Sequence, residues 1–277
     1  MPSPSAPSYE LVIEAGRTER TYWRDLWRYR ELLAMLAWRD VKVRYSQTLL
    51  GAAWALVQPL ASVAIFTFVF GRLAKMPAGN EPYFIVVMTG QMAWQLFANA
   101  LGNTSGSLLG SAHLISKVYF PRLVVPLSTL FVALIDFAIV LLVYAVAAGW
   151  TATLPSWKVV FLPAFILTVL LLAFGAGIWL AALTVRFRDF RIVVPFLLQI
   201  GVFATPVGYR TDNIPNWVDL LALNPMTGAI DAFRWSLLSV DQFPWDSFRL
   251  TLLWTTALLT TGIWYFRRVE KTLVDVI

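Results

Sequence analysis

Long apolar stretches separated by short charged clusters dominate this chain. Residues 45–71, 82–116, 159–185, 192–209 and 250–266 contain no Asp, Glu, Lys or Arg. A helix needs about 20 mostly apolar residues to cross roughly 30 Å of hydrocarbon, and each run meets or approaches that length. The pattern predicts six membrane-spanning helices at about 49–70, 83–101, 123–147, 159–183, 192–208 and 248–266. Ahead of them, Tyr22, Trp23, Leu26, Trp27, Leu33 and Ala37 recur at helical spacing, while Arg20, Arg24, Asp25, Arg28 and Glu31 occupy the other face. Such a helix suits the headgroup boundary. Between the last two spans, 209–247 carries five aspartates among apolar stretches too short to cross, Leu220–Leu223 and Ala229–Leu238. These predict a short re-entrant helical pair on the outer face, buried against protein. The expected fold class is an all-α membrane protein. Its parts are a disordered tail (1–16), an amphipathic cytoplasmic interface helix (17–48), a transmembrane domain (49–266, with outer gate helices in 209–247) and a cytoplasmic C-terminal tail (267–277).

Composition strengthens this picture. Of 277 residues, 58% are hydrophobic and 14% charged, and mean hydropathy is +0.67; soluble domains carry about 25% charge. The net charge of +6 raises the question of nucleic acid, but the cations flank the apolar runs, and no nucleic-acid partner is expected. If the N-terminus is cytoplasmic, 16 of the 22 Lys and Arg residues lie inside, which places both termini in the cytoplasm. Residues 1–9 lack a basic region followed by an apolar core, so no cleavable signal peptide is expected there.

The chemistry on offer is sparse. There is no cysteine and one histidine, His113, so neither a thiol nucleophile nor a zinc site is expected. Membrane glycosyl and phosphoryl transfer generally needs paired carboxylates or a metal cluster, and no Asp-Asp or Asp-x-Asp pair is present. No glycine precedes a lysine, so the phosphate-cradling GxxxxGK[ST] loop is missing. No catalytic residue, metal or cofactor is assigned to this chain; ATP and Mg, if used, belong to a partner.

Polar residues inside the apolar runs are more informative. Asp136 is the only intramembrane acid; it reads as a structural hydrogen-bonding group to a neighbouring helix or as part of the wet wall of a pathway. Trp54, Gln58, Ser62, Phe66 and Phe70 repeat every four residues, Phe196, Gln199 and Phe203 follow in the fifth span, and Gln91, Gln95 and Asn99 share a face of the second. Rings that stack on sugars and amides that hydrogen-bond hydroxyls suit the lining of a glycan channel; lipid-facing or core aromatics are the alternative. Gly102, Gly106 and Gly110 form GxxxGxxxG, expected to serve internal packing ahead of a dimer seam. The loop Thr184–Arg191 (TVRFRDFR) is short and dense in cations, suited to docking on a cytoplasmic partner as well as to anchoring.

Four segments carry a resemblance to a known family. Arg39–Pro59, RDVKVRYSQTLLGAAWALVQP, resembles the RDxKxRYxxTxLGxxWxxxxP stretch of ABC-2 permeases that export O-antigen, capsule and teichoic-acid chains. Leu114–Pro126 (LISKVYFPRLVVP), Leu183–Pro195 (LTVRFRDFRIVVP) and Leu223–Arg234 (LNPMTGAIDAFR) are similar to later segments of that family, in the same order. The resemblance implies a homodimeric permease of the bacterial inner membrane, with two copies of a separate ABC ATPase subunit, moving an undecaprenyl-linked glycan outward through a channel at the dimer axis. It places coupling to the ATPase on Arg39, Asp40, Lys42, Arg44, Lys117, Arg122, Arg186, Arg188, Asp189 and Arg191. The outer gate falls on Asn224, Pro225, Asp231, Phe233 and Arg234. The stretch TPVGYRT (205–211) departs from the family's Ser-Pro-Val-x-Tyr-Pro, and its Arg210 is a candidate reader of charge on the passing substrate. Teichoic-acid and capsule export stand beside O-antigen export. An exporter of small lipids or drugs, a membrane glycosyl or phosphoglycosyl transferase and a passive channel are disfavoured rivals.

Overall fold

The computed structural model describes residues 22–46, 51–77, 79, 81–153, 155–213, 217–238 and 240–270. The tail expected at 1–16 and most of the C-terminal tail lie outside them. Every regular element among the described residues is helical. Helices α1 (Tyr22–Arg28) and α2 (Arg30–Ser46) occupy the segment expected to hold one amphipathic helix. Helix α3 (Gly51–Phe66) contains Pro59 and winds into a π-helical segment, Thr67–Leu73. Then come α4 (Tyr83–Gly110), α5 (Ala112–Lys117), α6 (Val124–Trp150), α7 (Leu162–Arg186, entered through a 3-10 segment Trp157–Phe161), α8 (Phe190–Gly201), α9 (Val218–Ala222), α10 (Pro225–Leu237) and α11 (Trp245–Glu270).

Among the described residues, four helical stretches are long and apolar enough to cross a bilayer: Leu56–Leu73, Tyr83–Gly110, Val124–Trp150 and Trp157–Arg186. Helices α4, α6, α7 and α11 form the frame, α4 packing on both α6 and α7, and α11 on α7. The core divides between the two ends of this frame. At one end, Phe137, Tyr144, Phe165, Ile230 and Phe233 join α6, α7 and α10. At the other, Tyr22, Leu36, Phe120, Leu123, Ile178 and Phe266 join α1 and α2 to the frame. Lys117, Arg122, Arg186, Arg188, Arg191, Arg267 and Arg268 cluster by chain position around this second, basic end.

Two expectations change. The helix expected over 192–208 stops at Gly201, and turns follow to Tyr209. A Cβ at Gly201 would lie 2.7 Å from the Trp94 ring, Pro206 has no N–H to offer a helix, and the carbonyls of 206–208 are bonded by side chains from elsewhere. Of the Gly102–Gly106–Gly110 face only Gly102 packs inside the chain, where a Cβ would lie 3.7 Å from Leu198; among the described residues a Cβ at Gly106 or Gly110 would meet nothing within 4 Å. Close helix crossings lie instead between Gly228 of α10 and α11, where a Cβ would run into the Ser247 carbonyl oxygen, and between Gly175 of α7 and Gly262 of α11, where a Cβ on Gly262 would sit 2.6 Å from the Gly175 carbonyl oxygen. Small residues there let the backbones touch.

Candidate functional site

Three polar clusters stand along the frame. The first holds the turn at 205–211. Asn224 caps α10, its Oδ1 accepting from Met226 N–H at 3.0 Å with Pro225 at the first helical position, an arrangement suited to helix initiation. Asn224 Nδ2 also donates to Thr205 Oγ1 at 2.9 Å. About two turns beyond Asn224, Asp231 accepts from Thr211 Oγ1 at 2.9 Å. Arg234, only 3% exposed, donates from Nη2 to the carbonyls of Pro206 (2.8 Å) and Val207 (3.0 Å) and pairs with Asp231 at 3.5 Å. Tyr83 Oη donates to the Gly208 carbonyl at 2.6 Å. Gly208 is required by close packing, since a Cβ there would lie 2.6 Å from both the Phe66 and the Phe70 rings. Phe233 is fully buried, edge-on to Phe137 at 6.0 Å. Arg210 pairs with Asp212 at 3.1 Å.

The second cluster is centred on Asp136, midway along α6. Its Oδ2 forms an ion pair with Arg44 Nη2 at 2.7 Å and accepts from Asn99 Nδ2 at 3.1 Å, and its Oδ1 accepts a short hydrogen bond from Tyr45 Oη. Further along the same face of α4, Gln91 Nε2 donates to Gln95 Oε1 at 3.2 Å. Nearer the basic end, Asp40 pairs with Arg39 at 2.8 Å and accepts from Ser128 Oγ of α6 at 3.2 Å. Arg39, Asp40 and Arg44, expected as contacts to a partner, therefore already have partners in the chain; Lys42 is exposed.

The third cluster ties the ends of the chain's basic side. Glu270, at the end of α11, accepts from the backbone N–H of Arg122 (2.9 Å) and from Tyr22 Oη (3.4 Å), while the Arg122 guanidinium donates to the Glu270 carbonyl. Arg267 lies over the Tyr22 ring at 4.7 Å. Burial, opposed by these hydrogen bonds, holds the Glu270 carboxyl above its usual range. Burial and then the charge of Glu270 push the Tyr22 phenol up as well, so it stays a neutral donor. Lys117, Arg186, Arg188, Asp189 and Arg191 are all exposed beside this knot.

The expected channel residues separate into two sets. Gln91, Gln95, Asn99 and Asp136 lie together between α4 and α6. Phe66 stacks on Phe70 (5.7 Å) and on Phe203 (5.8 Å) beneath the turn, and Phe70 meets Tyr209 at 5.7 Å. Gln58, Phe196 and Gln199 are exposed; the side chain of Trp54 is outside the described residues.

Comparison with known proteins settles the kinship. The family model of the ABC-2 type transporter membrane domain matches residues 31–238. The chain belongs to the ABC-2 type transporter family. It is 32% identical over 218 residues to the O-antigen export system permease protein RfbA of Myxococcus xanthus, covering 76% of this chain and 82% of that one. An O-antigen export system permease protein RfbA of Klebsiella pneumoniae is 30% identical over 210 residues, covering 74% and 79%. The polysialic acid transport protein KpsM of Escherichia coli is 23% identical over 243 residues, covering 85% and 92%.

The ABC-2 match spans α2 through α10 almost entirely, so the Asp136 and Arg234 clusters lie inside it. Residues that sequence reasoning missed are Tyr45, Tyr83, Ser128, Thr211 and Glu270. Tyr45 carried a signal, a phenol next to Arg44 at the mouth of a span. Glu270, by contrast, sat in a stretch expected to be tail, and nothing local marked it.

Proposed function

We propose that the chain is the transmembrane subunit of an ATP-driven exporter of lipid-linked polysaccharide, with a separate ABC ATPase at its basic end. The observation that carries this is the similarity, over about three quarters of the chain, to permeases named for O-antigen export. The missing phosphate loop supports ATP and Mg being held by the partner subunit. Two copies of the permease would enclose the pathway, and α8 with its following turn and α11 would complete six crossings of the inner membrane, with both termini in the cytoplasm. The exposed cations Lys117, Arg186, Arg188 and Arg191 suit the ATPase contact, together with Asp189. The ring stack Phe66–Phe70–Phe203 and the amide row Gln91–Gln95–Asn99 suit sugars sliding past. Helices α9 and α10, with the turn pinned by Arg234, suit an outer gate. Directional movement requires that nucleotide states favour different channel conformations.

The test is deletion of the gene followed by analysis of lipid-linked glycan. The proposal expects assembled glycan to accumulate on the inner face and to vanish from the cell surface. Unchanged surface glycan refutes it.

A further inference from the structure

We propose that Arg44 receives the oxyanion headgroup of the lipid-borne substrate, exchanging its ion pair with Asp136 for one with the headgroup while Tyr45 keeps the end of α2 on α6. The inference rests on the exporter reading above and deepens it.

Depth comes first. Asp136 lies twelve residues beyond Val124, about 18 Å along α6 at 1.5 Å per residue. Asp40 meets Ser128 and Arg44 meets Asp136. Helices α2 and α6 therefore run side by side in the same sense, and the end of α2 is its deepest part. A surface-lying helix would not reach that level.

Exposure comes second. At that depth the Arg44 side chain is 40% exposed while that of Asp136 is 7% exposed. A guanidinium cannot present so much surface to hydrocarbon, so its open side is turned away from lipid, toward the interior between the two proposed copies, where water or an anion reaches it. Among the described residues Arg44 makes no other ion pair or hydrogen bond, which leaves most of its fork of donors unused. Such a fork matches the paired oxygens of phosphate or carboxylate.

The third point is that the exchange leaves neither oxygen of Asp136 without a hydrogen-bond donor. Tyr45 and Asn99 continue to donate to Asp136 when Arg44 departs, so the carboxylate keeps hydrogen bonds to both oxygens. Exposed Ile135, next to Asp136 in sequence, and Phe131, one turn before Ile135, give α6 an apolar side face at a similar depth, where a lipid tail can lie. Cation, open water and apolar flank together describe a seat for an anionic amphiphile.

The probe is farnesyl diphosphate, titrated against the full chain in lipid nanodiscs, with farnesol and inorganic diphosphate as controls. Arg44→Gln should weaken farnesyl diphosphate by about tenfold or more, the loss of one charge-assisted pair. Asp136→Asn should tighten it several-fold, because the competing charge is gone while the amide keeps the shape. Arg44→Lys, which keeps the charge and the fold but loses the fork, should fall between wild type and Arg44→Gln. Farnesol should bind far more weakly than farnesyl diphosphate. Unchanged binding in Arg44→Gln or Arg44→Lys overturns the proposal, as does parallel weakening in Asp136→Asn, the mark of a brace. Equal affinity for inorganic diphosphate also overturns it, by assigning the site to a free ion. Glycan export that requires the gene but ignores Arg44 sinks only this inference; export that ignores the gene sinks the exporter reading.

Discussion

Removing Arg234 would take away the donor for two carbonyls, Pro206 and Val207, and the counter-charge of Asp231 at the same stroke. Breaking a buried pair by deleting one partner costs about 3–5 kcal/mol, because the other charge stays buried. Arg234→Ala should therefore lower the thermal midpoint of the purified chain sharply, with Arg234→Lys intermediate because it restores charge without the fork; a midpoint within error of wild type contradicts the pinning role. Glu270 gives a pH signature. Its folded pKa is raised by burial, so the folded chain binds the proton more readily than the unfolded one. Its contribution is complete below the ordinary carboxylate range and is lost as pH rises through the raised value. Thermal midpoints followed from about pH 4 to pH 7 should fall less steeply in Glu270→Gln than in wild type. Identical slopes contradict this.

At the scale of elements, apolar length located the four long helices despite Arg72 and Asp136 within them, and the Asp-rich interval of 209–247 holds the short helices α9 and α10. What the pattern could not reveal was decided by tertiary partners. Gly201 and Pro206 look no different in sequence from residues inside a span, yet a ring from α4 and donors from α4 and α10 convert the expected helix end into turns. Likewise a regular GxxxGxxxG spacing drew attention to Gly106 and Gly110, where an added Cβ would meet nothing within 4 Å among the described residues, while Gly175 and Gly262, eighty-seven positions apart, meet backbone to backbone. The site was legible in part: Asp136 and Arg234 stood out as charges among apolar residues, but their partners are distant in sequence and chemically ordinary. Gly262→Val should destabilise the folded chain by about 1–3 kcal/mol or more through overpacking, whereas Gly106→Val should leave the stability of the single chain near wild type. Denaturant unfolding in detergent compares them, and equal losses would contradict the assigned crossing.

For the whole molecule, the three clusters form a sequence from end to end. The Glu270–Arg122–Tyr22 knot joins α1, the entry to α6 and the end of α11 at the basic side. The Arg44–Asp136–Asn99 cluster links α2, α6 and α4 at mid-depth. Gly90, next to Gln91 on α4, packs against Arg234 and the Val207 carbonyl, where a Cβ would meet them at 2.9 and 2.5 Å. A push on α1 and α2 from the proposed ATPase would therefore have a packed path through α6 and α4 to the turn at 205–208. The most direct measurement of this account is translocation of lipid-linked glycan in proteoliposomes holding the permease with or without its co-purifying ATPase. The account predicts ATP-dependent movement of glycan only when both are present; glycan moved or chemically altered by the permease alone would contradict it.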